Sequence, residues 1–113
     1  MTTQRVDPPL QAGEREMLLS WLDYHRATLA TKCEGLSDEK LRTAAVPPST
    51  LSLLGLVRHM TEVERGWFRR TLRAEDAAPI YYSGENPDGD FEVRDADVAD
   101  AFARWSEECD RAR

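Results

Sequence analysis

Length, composition and charge place this chain among small globular proteins and exclude several classes of function. Its 113 residues are enough for one domain with its own core and too few for two. The net charge of −6 argues against nucleic acid and anionic membrane as partners, because both require a broad basic surface. No apolar run approaches the roughly 18 residues of a membrane span, and the N-terminus lacks the order of a signal peptide. We therefore expect a cytoplasmic protein.

The two cysteines, Cys33 and Cys109, lie far apart on separate predicted helices. In a reducing compartment such a pair is expected to form buried thiols and not a disulfide. Neither belongs to a Cys-x-x-Cys pair, so a cysteine zinc site is excluded.

The N-terminal part of the chain predicts an arm followed by a long helix. Residues 1–12 are polar and contain two adjacent prolines, which predicts an extended segment. From about Glu14, apolar residues recur at helical spacing, and Gly35 is suited to end that helix.

His25 lies near the centre of the apolar stripe of this first helix, where leucine would be the ordinary residue. One interpretation is a core histidine whose ring nitrogens bond to a backbone carbonyl or a neighbouring helix. The other is a pocket residue that orients a bound ligand. We assign His25 and Trp21 as candidate pocket-lining residues.

The segment between the two long helices contains a short helix and a proline pair. Residues 36–42 favour a single helical turn with Ser37 as its N-cap. Two adjacent prolines then interrupt the chain. Ser52 is the favoured N-cap of the next helix, because Leu53 begins its apolar period.

The longest apolar-periodic run, Leu51 to Leu72, predicts a second long amphipathic helix. Gly55 inside it indicates close approach of another helix backbone. The predicted buried face consists of Leu53, Leu56, Val57, Met60, Val63, Glu64, Trp67, Phe68 and Thr71. The predicted outer face consists of Arg58, Thr61, Glu62, Arg65 and Arg69.

His59 is the first candidate for chemistry in this helix. It lies on the flank of the apolar stripe, roughly 110° from its centre, next to Val63 and Glu62. A side chain there can face a crevice between helices, and Glu62 is a candidate lining residue of that crevice. The alternative is a flank histidine bonded to a neighbouring side chain or to solvent.

Five arginines of this region form a basic patch within an acidic chain. We expect local acids to offset them, and the alternative is binding of carboxylates of a low-molecular-weight thiol. The patch consists of Arg58, Arg65, Arg69, Arg70 and Arg73.

Residues 73–94 predict a long loop, because prolines, glycines and acidic residues interrupt the pattern. Residues 86–89 are strong turn formers within it. Tyr81, Tyr82 and Phe91 can pack the loop onto the helices. The alternative for the two tyrosines is contact with a partner protein.

A third long helix is predicted from near Asp95, which can cap it, and its apolar stripe is still regular at the last residue, Arg113. Three long amphipathic helices predict an all-α antiparallel helical bundle in one domain over residues 1–113. We expect the fourth helix of such a bundle to be missing from this chain or supplied by a partner chain.

Several segments in the same order resemble the DinB-like superfamily, from about Arg15 to Trp105. They are WLDYHRATL, KCEGLSDEKLR, PPSTLS, SLLGLVRHMTEVERGWF and the later YY and PDGDF. The chain looks most like an actinobacterial branch related to the mycothiol-dependent maleylpyruvate isomerases. This resemblance implies a four-helix bundle of the DinB-like type.

The resemblance also implies a divalent metal, zinc or nickel, that three histidines bind. His59 matches the position of one of these ligands. The other two come from a His-x-x-x-His pair on a later helix, and no histidine follows His59 in this sequence. We therefore expect an incomplete metal site in this chain, since such sites usually take three protein ligands.

The expected function is a metal-dependent, thiol-linked transferase or isomerase acting on a small molecule, with a low-molecular-weight thiol as its second ligand. The alternative is a non-catalytic bundle that serves as a dimerisation or small-ligand-binding module. We expect a homodimer, with Trp67, Phe68 or Trp105 buried between the two copies.

Overall fold

The computed structural model describes residues 4–113, and the regular structure in that range is entirely helical, as predicted. A π-helix continues α3 directly, and a 3₁₀ turn lies in the loop that follows. No helix of the described residues is long and apolar enough to cross a membrane. The elements are α1 (Glu14–Cys33), α2 (Asp38–Arg42), α3 (Leu53–Glu64), the π-helix (Arg65–Leu72), the 3₁₀ turn (Gly89–Phe91) and α4 (Val98–Ala112).

The chain forms two compact units, residues 1–36 and residues 37–113. The first unit contains α1, which ends before Gly35, a residue with the positive φ of +73° that favours glycine. Its N-terminal segment contacts α1, since the guanidinium of Arg5 lies 4.9 Å from the ring centroid of Tyr24. Residues 1–3 of the predicted arm lie outside the described range, and the single domain stays a prediction.

Both predicted serine caps are confirmed in the second unit. Oγ of Ser37 accepts a hydrogen bond from the Lys40 amide (3.2 Å) at the start of α2. Oγ of Ser52 accepts one from the Gly55 amide (3.0 Å) at the start of α3. Each serine satisfies a backbone donor that the first turn of a helix leaves without a partner.

The predicted cap of the last helix is wrong by two residues. Asp97, and not Asp95, caps α4, and its carboxylate accepts from the Asp100 amide (2.9 Å). The amide of Ala96 donates to the Val93 carbonyl (3.1 Å), so Asp95 belongs to the preceding turn.

Helix α3 packs against α4 on one side and against the 3₁₀ turn on another. Leu54, Val57 and Thr61 are completely buried. The predicted outer face is therefore wrong for Thr61 and also for Glu62, which is 4% exposed. Conversely, Trp67 was assigned to the buried face and is 65% exposed. Glu62 is buried because the loop covers its side of the helix, where the Ile80 and Tyr81 amides donate to its carboxylate.

Gly55 allows a close approach, as predicted, although its neighbour is a loop and not a helix. A Cβ atom at this position would lie 3.2 Å from Cδ1 and 3.4 Å from Cα of Phe91. The glycine therefore lets the 3₁₀ turn lie directly on the first turn of α3.

Gly89 provides a test of how tightly the loop is folded. A Cβ atom there would lie 2.2 Å from the Tyr81 carbonyl oxygen, a distance that atoms do not tolerate. We expect Gly89→Ala to lower the free energy of unfolding by about 1–3 kcal/mol or more, because the backbone must shift. Urea denaturation followed by circular dichroism measures this change.

Gly84→Ala is the matched control in the same loop. No atom lies within 4 Å of the Cβ that this substitution adds. We expect a change within about 0.5 kcal/mol for it. Equal effects of the two substitutions would show that the contact at Gly89 does not constrain the loop.

Candidate functional site

Arg58 on α3 attaches the loop to the helix. Its Nε donates to the Asp90 carbonyl (3.0 Å) and its Nη2 to the Gly89 carbonyl (3.1 Å). The same guanidinium lies 4.1 Å from the ring centroid of Tyr81, within the range of a cation–π contact. One side chain therefore fixes both the 3₁₀ turn and the segment that precedes it.

The neighbouring residue, His59, pairs with the side chain of Asp90. Its Nδ1 lies 2.7 Å from Oδ2 of Asp90, and its ring stacks on Phe91 with a centroid distance of 5.0 Å. A carboxylate can only accept, so Nδ1 carries the proton and Nε2 is the acceptor nitrogen. The Asp90 side chain is 5% exposed and that of His59 is 40% exposed. The imidazole is therefore fixed at Nδ1 by a buried carboxylate, while part of its ring is accessible to solvent.

A cavity of about 580 Å³ lies over His59. One wall is the helical segment that runs from α3 through the π-helix, and the other is the loop, where the sequence suggested a neighbouring helix. The lining residues are His59, Glu62, Val63, Gly66, Trp67, Arg70, Thr71, Tyr82, Pro87, Asp88, Asp90 and Phe91. Apolar and charged groups thus meet in one concave site of a size suited to a small molecule.

Glu62 lies in the wall of this cavity and also holds the loop. Its Oε2 accepts hydrogen bonds from the amides of Ile80 (3.0 Å) and Tyr81 (2.9 Å). Its Oε1 is buried without a hydrogen-bond partner. Two amide dipoles compensate a carboxylate that the sequence assigned to the solvent side.

The tyrosines of the loop contact the chain's own helices. Tyr82 accepts a hydrogen bond at its hydroxyl from Nη1 of Arg70 (3.1 Å). Burial raises the pKa of the Tyr81 phenol, while Arg58 acts in the opposite direction. Both rings are half-buried in these contacts. They therefore pack the loop, and nothing in their placement favours the partner-contact interpretation.

The π-helix is held by a buried carboxylate on α4. Oε1 of Glu108 accepts from Nη1 of Arg65 (2.6 Å) and from Nη1 of Arg69 (3.0 Å). Arg65 also donates from Nε to the Ala78 carbonyl (2.7 Å). These bonds fix the wall of the cavity against α4.

Trp21 and His25, the two candidate pocket-lining residues on α1, lie in the first unit. The rings of Trp21 and His25 have a centroid distance of 5.7 Å. Trp21 is 46% exposed. The assignment of both residues to the lining of a binding pocket stays a prediction, as does the assignment of Glu62 to a functional role.

Neither cysteine is suited to act as the nucleophile. Both are thiols and not a disulfide, as predicted, and both are buried. Burial raises the pKa of the Cys33 thiol, which lowers the fraction of reactive thiolate at neutral pH. Sγ of Cys109 lies 3.8 Å from Oε1 of Glu64, as a donor to a buried carboxylate. A thiol nucleophile would therefore come from a bound ligand.

The donors present do not fit the zinc or nickel site that the resemblance implies. His59 has a carboxylate on Nδ1, as metal-binding histidines often do. Residues 4–113 contain no group of three or more histidine, cysteine, aspartate or glutamate side chains placed to hold a metal. One imidazole does not complete a site of three protein ligands. The role of His59 as a metal ligand stays a prediction.

The sequence reasoning missed Asp90 as a site residue, and it named Phe91 only as a residue that packs the loop onto the helices. Both belong to the PDGDF segment, whose turn chemistry was recognised. A loop has no periodicity that indicates which of its side chains faces a helix. The available signal was Gly55, whose missing side chain leaves room for Phe91.

The anchoring role of Glu62 can be tested by substitution. We expect Glu62→Ala to lower the free energy of unfolding by about 2–4 kcal/mol, because two amides lose their acceptor. The amides of Ile80 and Tyr81 should lose protection against hydrogen exchange, measured by NMR. Glu107→Ala, which removes an exposed acceptor of Arg111, is the control, and it should leave the stability nearly unchanged because solvent screens an exposed ion pair. Retained protection of both amides would contradict the anchor.

Comparison with known families agrees with the DinB-like resemblance. The model of a family described as mycothiol-S-transferase matches residues 17–113, a range that includes every residue lining the cavity. The comparisons with curated proteins and with solved structures gave no match. Since the family model matches well over half of the chain, the chain belongs to the mycothiol-S-transferase family.

Proposed function

We propose that this chain binds mycothiol, a low-molecular-weight thiol, and transfers it to a small molecule in the cavity over His59. Membership of the family supports a mycothiol-linked, transferase-type role. The single observation that supports the chemistry is the pair formed by His59 and the buried Asp90 at 2.7 Å. A histidine oriented by a carboxylate is a common general base.

In the proposed reaction, Nε2 of His59 accepts the proton of the bound thiol. The resulting thiolate forms a sulfur–carbon bond with the acceptor, and the bond to the leaving group breaks with its electron pair. His59 then returns the proton to the leaving group. Asp90 keeps the imidazole in the required tautomer and stabilises the imidazolium that forms.

The surroundings of the pair support this role. Asp90 is 5% exposed, so its charge acts on the imidazole with little screening by water. The Phe91 ring stacks on His59 and limits its rotation. Burial of the two cysteines supports a thiol that arrives with the ligand.

A zinc or nickel ion at His59 is a separate prediction, and no step above depends on it. When bound by three protein ligands, such an ion would favour the thiolate form of a coordinated thiol. Elemental analysis of the purified protein measures its content.

A non-catalytic dimerisation module is the second candidate function, and exposed apolar side chains favour it. Trp67 and Leu72 of the π-helix are 65% and 74% exposed, a surface that a second copy could cover. Trp105 was also expected at such an interface, and it is 7% exposed within its own unit. The homodimer and the DinB-like four-helix bundle are further parts of this proposal. Sedimentation at micromolar concentration measures the oligomeric state.

Transfer of mycothiol to 1-chloro-2,4-dinitrobenzene tests the catalytic proposal, followed by the absorbance of the thioether. We expect His59→Gln to lower kcat/KM by about 10²- to 10⁴-fold, because the thiol loses its base. Asp90→Asn should lower it by roughly 10²-fold, since an amide does not stabilise the imidazolium. Calorimetry should show that both variants still bind mycothiol.

Asp76→Asn is the matched control, since Asp76 is an exposed carboxylate outside the cavity. Its activity should equal that of the parent chain. Full activity of His59→Gln would refute the general base. Binding of mycothiol by a parent chain without any turnover would favour the non-catalytic module.

A further inference from the structure

Three of the five arginines in the basic patch have carboxylate partners. Arg65 and Arg69 bond to Glu108 at 2.6 and 3.0 Å. Arg69 and Arg73 lie 3.2 and 3.8 Å from the carboxylate of Glu75. The expectation that local acids offset the patch is therefore confirmed for these three.

Arg58 differs from them, because it meets backbone carbonyls of the 3₁₀ turn and the Tyr81 ring. These contacts use two of its nitrogens and one face of its guanidinium. Arg58 therefore holds the loop through carbonyl and aromatic contacts and not through an ion pair.

Arg70 is the exception within the patch. Its hydrogen bond goes to the neutral hydroxyl of Tyr82 (3.1 Å), and its Nε is buried without a partner. Within residues 4–113 it forms no ion pair, although the chain has 21 acidic and 15 basic residues. A partly buried cation without an anion is unfavourable, so this arrangement indicates a ligand that completes it.

The location of Arg70 agrees with a binding role. It is the only arginine or lysine among the described residues that line the cavity. Gly66 makes room for it, since a Cβ atom there would lie 3.1 Å from Nη2 of Arg70. The neighbouring Trp67 presents a largely exposed ring to the same cavity.

The acidic residues of the cavity do not neutralise this cation. Glu62 bonds to two backbone amides, and Asp90 bonds to His59. Asp88 is exposed at the edge of the cavity and forms no ion pair with Arg70 within the described part of the chain. Nε is buried and Nη1 bonds to Tyr82, so Nη2, which forms no hydrogen bond within residues 4–113, is the nitrogen best placed to donate to an incoming anion.

We propose that Arg70 binds a carboxylate of the acceptor molecule, so that the cavity selects small organic acids as acceptors. A guanidinium donates two parallel hydrogen bonds to a carboxylate, a geometry that a neutral amide does not match. Trp67 and Val63 provide apolar surface for the body of the acceptor, which favours an aromatic acid that carries a leaving group. The carboxylate site rests on the structure, and its assignment to the acceptor rests on the proposed function.

Binding of benzoate and benzamide to the full chain, without any thiol, tests the site. The two probes have the same shape and differ in charge. We expect benzoate to bind at least about tenfold more tightly, measured by NMR titration. Arg70→Gln should weaken benzoate binding by roughly 10- to 100-fold and leave benzamide binding unchanged. Arg70→Lys keeps the positive charge but cannot donate two parallel hydrogen bonds, so its benzoate affinity should lie between those of the parent chain and Arg70→Gln.

Arg73→Gln is the matched control. Arg73 belongs to the same patch, its side chain is 49% exposed, and it does not line the cavity. Its benzoate affinity should equal that of the parent chain. Equal benzoate affinity of Arg70→Gln and the parent would overturn the proposal. If Arg70→Gln does not fold, a benzoate-to-benzamide affinity ratio near one in the parent chain would overturn it as well.

A titration with mycothiol tests whether Arg70 contacts the thiol or the acceptor. If the carboxylate belongs to the acceptor, Arg70→Gln binds mycothiol as the parent does. A loss of mycothiol affinity equal to the loss for benzoate would overturn the assignment to the acceptor. If benzoate binding depends on Arg70 but the chain has no transferase activity, the carboxylate site is supported and the proposed function is refuted. If transfer depends on His59 but benzoate binding does not depend on Arg70, the proposed function is supported and the carboxylate site is refuted.

Discussion

The hydrogen bonds from Arg58 to the carbonyls of Gly89 and Asp90 hold the loop on α3, and the candidate site depends on them. Arg58 and His59 are adjacent in sequence, and both contact Asp90, one at its backbone and the other at its carboxylate. The turn held in this way places the Asp90 carboxylate 2.7 Å from Nδ1 of the imidazole. The same coverage buries Glu62 against the loop amides and completes the second wall of the cavity.

Buried carboxylates connect the structural elements of the second unit of this acidic protein. Glu62, Asp90 and Glu108 are buried, and each accepts hydrogen bonds from amides, an imidazole or guanidiniums. Buried carboxylates are favourable only with such donors, so each of them determines which elements must meet. Arg70 differs from them, because its hydrogen-bond partner within residues 4–113 is the neutral Tyr82 hydroxyl and its charge has no carboxylate partner there.

Local chemistry predicted two of the helix caps and missed that of α4 by two residues, whereas burial was predicted less well. The caps Ser37 and Ser52 depend on bonds across three residues, which the sequence shows directly. Thr61 was assigned to solvent because periodicity describes one buried face only. The loop covers a further face, and Thr61 satisfies its hydroxyl by bonding to the Val57 carbonyl (2.9 Å).

The sequence by itself determined an all-helical chain, the order of its helices, its family resemblance and His59 as the residue to consider first. These follow from short-range periodicity, capping chemistry and motifs, which all depend on residues that are close together in the sequence. Only the tertiary structure decided that Asp90 meets His59 and that, within residues 4–113, Arg70 alone in the patch has neither a carboxylate nor a backbone partner. Both facts depend on contacts between a helix and an irregular loop, and no local rule states which loop residue a helix will meet.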